Sequence, residues 1–168
     1  MKGAVLICAG GAFQYRSDAN EGTPVAQALE DIAVMGFSAG GILSGEMLLH
    51  WDGLVNGSAL DPDYVPDALD SVSADAAACG MIYAFYGRLS VGTTDVEALR
   101  AGDLPPTFYC YGTEDPFYRQ FLANADAAEA AGVPVERLQL ENTPHGFGVQ
   151  GGWISPYDAW LSQSFDSN

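Results

Sequence analysis

Residues 32–43 read "IAVMGFSAGGIL". The first half, Ile32 to Phe37, is almost continuously apolar, as in a strand covered on both faces. Beyond Ser38, the apolar residues Ile42, Leu43, Met47, Leu48 and Trp51 suit a helix. Gly40, Gly41 and Gly45 let that helix approach a sheet closely. At the junction stands Gly36-Phe37-Ser38-Ala39-Gly40, a match to G-x-S-x-G. Five residues of this kind prove little alone; a strand before and a helix after supply the setting the pattern needs. So tight a turn brings the residues two before and two after the serine almost together, and Gly36 and Gly40 remove those side chains. Ser38 is therefore a candidate nucleophile. The Ala39 N–H, at the positive end of the helix, is a candidate oxyanion donor.

Further short apolar runs alternate with helical patterns on both sides of this junction. The runs are "AVLICA" (4–9), "CGMIYAFY" (79–86), "PTFYCYG" (106–112) and "VERLQLE" (135–141). The last mixes Val135, Leu138 and Leu140 with charged residues and suits an edge strand. Helices are expected from Thr23, as cap, with Pro24 first, to about Glu30; after Ser38; from about Pro116 to Ala131, stopped by Gly132; and from Pro156 to Phe165. The alternation predicts an α/β fold with about five parallel strands flanked by helices.

The chain has 168 residues, the size of one domain, taken as 1–168. Hydrophobic residues make up 48%, enough for a core, and no apolar run is long enough to span a membrane. A net charge of −16 disfavours nucleic acid, anionic membranes and strongly anionic substrates. The aspartates at 61–70 lack the glycine and the terminal glutamate of a calcium loop. Cys8, Cys79 and Cys110 have no C-x-x-C spacing and read as buried, reduced thiols. The opening "MKGAVLICAGG" reads as a buried strand rather than a signal peptide, so a cytoplasmic protein is expected.

An acyl-transfer serine needs a base, an acid to orient it and a second oxyanion donor. The expected order along the chain is serine, acid, histidine. Of the two histidines, His50 lies about 18 Å from Ser38 along the helix, at 1.5 Å per residue. His145, in "TPHGFG", follows the last strand and is the candidate base. "YGTEDPF" follows the fourth run and offers Asp115 as acid, with Glu114 second. "AGGAF" (9–13) offers the Gly11 and Ala12 N–H groups to the oxyanion. All four features fall at strand C-terminal ends, where parallel sheets place their sites.

Taken together, these segments resemble an α/β-hydrolase of the acetyl-esterase and acetylxylan-esterase-like branch. "AVLICAGGAF" resembles its opening strand and glycine-rich loop, "VMGFSAGG" its nucleophile turn, and "LPPTFYCYGTEDPF…AEAAGVPVERLQLENTPHGFG" its acid and histidine segments. "PYDAWLSQSF" resembles its closing helix. The resemblance implies Ser38 as nucleophile, His145 as base and Asp115 as acid, with Ala39, Gly11 and Ala12 forming the oxyanion hole. It implies no metal and no organic cofactor.

One strand–helix unit of that family is absent between "VAQALED" and "IAVMGFS", which leaves a minimal version with strands in sequential order. With right-handed crossovers all connecting helices would share one face, leaving apolar sheet to be covered by a homo-oligomer. Only 16 residues, Arg88 to Asp103, separate the third and fourth runs, too few for a cap domain. An open site suits a small ester substrate. Phe13, Tyr15, Phe117, Phe147 and Trp153 are the candidate substrate contacts. The expected activity is a serine esterase releasing short acyl groups, acetyl foremost, from a carbohydrate or small alcohol. A peptidase or thioesterase using the same triad, or an inactive binding module, are the alternatives.

Overall fold

The structure, a computed structural model, describes residues 5–8, 33–50, 63, 65 and 76–166. The helix expected from Thr23 to Glu30 lies outside the described residues, as do Gly11, Ala12, Phe13 and Tyr15. Seven strands are described: β1 (Val5–Cys8), β2 (Ala33–Phe37), β3 (Cys79–Ile82), β4 (Gly87–Arg88), β5 (Val91–Gly92), β6 (Thr107–Gly112) and β7 (Val135–Leu140). Four α-helices accompany them: α1 (Ala39–Leu49), α2 (Val96–Ala101), α3 (Tyr118–Ala131) and α4 (Ile154–Asp166).

Five strands form one sheet in the order β1-β2-β3-β6-β7, and every pair is parallel. This is the sequential order expected from the sequence, with β1 and β7 at its edges. β4 and β5 form a separate two-residue antiparallel hairpin. With α2, that hairpin fills the interval where a cap would have to arise. Among the described residues, no helix is long and apolar enough to cross a membrane.

The register sorts the side chains into two layers. Gly36, Met81, Tyr109 and Arg137 stand side by side on one face, and Met35, Gly80, Phe108 and Glu136 on the other. Helices α1 and α3 cover the first face: a Cβ at Gly45 would lie 3.1 Å from Met81 Cε, and the Tyr109 hydroxyl donates to Asn124 at 2.8 Å. Burial pushes the Tyr109 phenol pKa up, so it stays a donor. Helix α4 covers the second face, with Tyr157 and Trp160 against Phe108 at ring separations of 5.2 and 5.4 Å. Cys79 and Cys110 are buried thiols outside any disulfide.

Helix α3 ends as the sequence predicts. Gly132 adopts a left-handed φ of 98° and its N–H returns to Glu129. Strand β7 keeps its edge character, with Arg137 paired to Asp126 at 2.7 Å and Glu129 at 2.9 Å on α3. Strand β3 is shorter than the apolar run 79–86. The Tyr83 N–H makes the last bond of the ladder, to Cys110 O at 2.7 Å; its φ of 39° then turns the chain away, while Tyr83 to Tyr86 stay buried.

The second layer holds one unsatisfied group. The Tyr157 hydroxyl is buried with no hydrogen-bond partner among the described residues, 2.9 Å from where a Gly80 Cβ would stand. A buried hydroxyl without a partner costs about 1–3 kcal/mol in lost hydration. Tyr157→Phe is therefore expected to raise stability by about 1 kcal/mol, read as a higher urea midpoint at an unchanged m-value.

Candidate active site

Ser38 sits between β2 and α1 with φ 49° and ψ −121°, a backbone region L-residues seldom occupy. Backbone hydrogen bonds on both sides hold it there. Its N–H continues the ladder to Ile82 O at 3.1 Å, and its C=O already accepts the N–H of Ile42 at 3.1 Å. The turn is as tight as its glycines suggest. A Cβ at Gly36 would lie 2.4 Å from the Gly40 carbonyl oxygen and 2.4 Å from Gly41 Cα. Gly41 is needed too, because its Cβ would meet Ala84 Cβ at 2.2 Å. Neither backbone nor a buried alanine can yield, so Gly36→Ala should destabilise the protein by about 3 kcal/mol or more. Thermal unfolding by calorimetry checks this, with a drop near 10 °C expected at roughly 2–4 °C per kcal/mol.

The acid and histidine loops are stitched to each other. Gly112 ends β6 so close to the next loop that its Cβ would meet Thr143 O at 2.0 Å. Thr113 N–H donates to Leu140 O, Glu114 N–H to Thr143 O, and Asn142 N–H to Thr113 Oγ1, at 3.0, 3.1 and 2.9 Å. These bonds fix Asp115 beside His145. Asp115 Oδ2 lies 2.6 Å from His145 Nδ1, and Asp115 Oδ1 accepts the Phe117 N–H at 2.8 Å. His145 Nε2 lies 2.8 Å from Ser38 Oγ.

The roles within this chain follow from donor inventory. An ionised carboxylate only accepts, so Nδ1 carries the proton, and Nε2 is left to accept from the serine hydroxyl. Asp115 is fully buried at its carboxylate and Glu114 is exposed, which separates the two acids named from the sequence. His50 caps the far end of α1, exposed, with Glu46 as its neighbour at 4.0 Å. Ala39 opens α1, and a first-turn N–H has no acceptor within its own helix. Among the described residues, no three His, Cys, Asp or Glu side chains converge as a metal would require.

A cleft of about 500 Å³ opens over Ser38. Its walls include Ile42, Tyr83, Phe85, Leu89 and Phe117, and His145 stands at its edge. Of the candidate substrate contacts, Phe117 lines this cleft, with its ring 5.7 Å from the His145 ring. Phe147 and Trp153 do not. Phe147 is buried against Tyr83 at 4.5 Å, and Trp153 is fully buried against Phe37, its indole N–H donating to Gly148 O at 2.7 Å. Both are core residues that support the histidine loop from beneath. Tyr83 and Phe85 were not singled out by the sequence, since the run 79–86 reads simply as strand, and Leu89 was not because it falls in the interval 88–103 between runs.

The chain matches the family described as alpha/beta hydrolase fold over residues 12–149. No curated protein matches it by sequence. Among solved structures, it is similar to an acetyl ester-xyloside bifunctional hydrolase from Caldicellulosiruptor lactoaceticus, at 16% identity and a TM-score of 0.72. That match covers 96% of this chain and 82% of the other. A fungal esterase from Rhizomucor miehei is similar at 14% identity and a TM-score of 0.70, with 100% and 77% covered. A thermophilic esterase from Thermogutta terrifontis, solved with propionate bound, follows at 18% identity and 0.64, with 98% and 82% covered. At these identities the similarity speaks for the fold. Together with the family match over most of its length, it makes this chain a member of the alpha/beta hydrolase family.

Proposed function

We propose that the chain is a serine carboxylic-ester hydrolase acting on short-chain acyl esters of a carbohydrate or small alcohol. The observation that carries the proposal is the unbroken run of hydrogen bonds from Asp115 through His145 to Ser38 Oγ, ending at the floor of an apolar cleft. The similar folds that bear the names of esterases favour an ester over an amide substrate.

The chemistry follows from the positions. Ser38 Oγ attacks the ester carbonyl carbon as His145 Nε2 takes its proton. The carbonyl oxygen becomes an oxyanion, and the Ala39 N–H at the α1 N-terminus is oriented to stabilise it. The C–O bond to the alcohol then breaks, and the alcohol leaves with the proton from His145. Water, deprotonated by His145, attacks the acyl-enzyme and releases the acid and the free serine. Asp115 keeps the imidazole in one tautomer throughout and offsets its positive charge. Gly11 and Ala12 are the proposed second oxyanion donors.

A panel of p-nitrophenyl acetate, a matched thioester and a peptide anilide tests the reaction class. Saturable turnover of the ester, well above the other two, is expected. Preference for the anilide, or no ester turnover, would overturn the proposal.

A further inference from the structure

The hairpin β4–β5 forms one wall of the cleft, and its tip is Leu89–Ser90. Leu89 has a φ of 55°, at the first central position of a two-residue turn, where glycine normally stands. It is also 73% exposed. An exposed leucine in a glycine conformation is unfavourable on both counts, and stability alone would replace it. The feature it does serve is the cleft: Leu89 faces the same space as Ser38 Oγ.

The hairpin is too short to hold itself in place, and α3 holds it. Gln120 accepts the Gly92 N–H at 2.9 Å and donates to Ser90 O at 3.0 Å. One turn further along the same helix, Asn124 accepts the Tyr86 N–H at 3.0 Å. Its amide donates to Tyr86 O at 3.0 Å and Thr93 O at 2.7 Å. Two amide side chains four residues apart thus clamp both ends and the tip of the hairpin by its backbone. Asn124 is fully buried, and the Tyr109 hydroxyl fixes its orientation.

We infer that this clamped hairpin selects the substrate, with Leu89 packing against an alkyl group of the ester larger than acetyl and Gln120 acting as its positioning residue. The inference rests on the esterase reading above and deepens it. A cleft of about 500 Å³ lies in the range that holds whole small ligands, and an acetyl group alone would leave its apolar walls wet. An alkyl group of about four carbons would cover Leu89, Ile42 and Phe85. It can belong to the acyl or to the alcohol half of the ester.

The test is a pair of ester series. One varies the acyl chain of p-nitrophenyl esters from acetate to hexanoate, and the other varies the alcohol of acetate esters from methyl to butyl. The wild type should favour a four-carbon group in one series, which identifies the half that enters the cleft. Leu89→Asn keeps a residue that tolerates positive φ but removes the apolar contact. It should lower the preference for four over two carbons about fivefold, since each buried methylene is worth roughly a fourfold change in binding. Gln120→Ala should lower the same preference through KM with kcat held, and Gln120→Glu, which keeps the acceptor, should restore part of it. An active wild type whose chain-length profile is unchanged in Leu89→Asn and Gln120→Ala would overturn this inference alone. A wild type that hydrolyses no ester overturns the esterase reading and this inference with it.

Discussion

Ser38→Ala is expected to lower kcat for p-nitrophenyl acetate by roughly 10⁴–10⁶-fold while leaving the protein folded. The chemical loss is complete because no other hydroxyl stands at His145 Nε2 in the described site, 2.8 Å from Ser38 Oγ. The structural loss is small. The serine side chain gives up one hydrogen bond, worth about 1 kcal/mol net, so the unfolding midpoint should move by no more than about 4 °C. Rate and midpoint, measured on the same preparation, separate lost chemistry from lost fold. Residues that act as one unit are also non-additive, so a Ser38→Ala/His145→Ala double variant should be no slower than Ser38→Ala alone.

Asp115→Asn should lower kcat by about 10⁴-fold with little change in fold. The direction follows from the Phe117 N–H. It donates to one Asp115 oxygen at 2.8 Å and would hold the asparagine carbonyl in that place. The asparagine NH₂ then faces His145 Nδ1, which must accept rather than donate. The imidazole proton moves to Nε2 and points at Ser38, so the base can no longer take the serine proton. Glu114→Gln is the control. Glu114 is exposed, and among the described residues its hydrogen bond is from its backbone N–H to Thr143 O, so its side chain should affect kcat by less than about twofold. A reversal of these two outcomes would reassign the acid.

The parallel strands were legible because most of them carry unbroken apolar runs, and such runs mean burial on both faces, whereas their sequential order followed only from the family resemblance and its missing strand–helix unit. The turn at Ser38 was legible for a different reason: its glycines answer a local steric demand that the sequence states directly. Gly41 shows where that ends. Its close approach to the sheet was legible in kind, but its tightest neighbour is Ala84, 43 residues away in sequence, and no local pattern names that partner. The β4–β5 hairpin was missed on the same grounds. Two-residue strands have no periodicity, and this pair owes its form to Gln120 and Asn124 on a helix further along the chain. Phe147 and Trp153 are candidate substrate contacts by sequence, yet they lie in the core. They turn inward because the loop folds over Phe37 and Tyr83, and an aromatic residue looks the same in sequence whichever way it faces. Asp115 and Glu114 are adjacent acids of equal chemistry, and only the folded chain distinguishes them, by burying one carboxylate against His145.

The central claim is that Ser38 is an activated nucleophile. A fluorophosphonate reacts with such a serine and leaves a stable covalent adduct that peptide mass spectrometry can locate. The account predicts one adduct per chain, on the peptide containing Ser38, and none in Ser38→Ala. It also predicts sharply slower labelling in Asp115→Asn. An unlabelled wild type, or an adduct on a peptide that lacks Ser38, would contradict it.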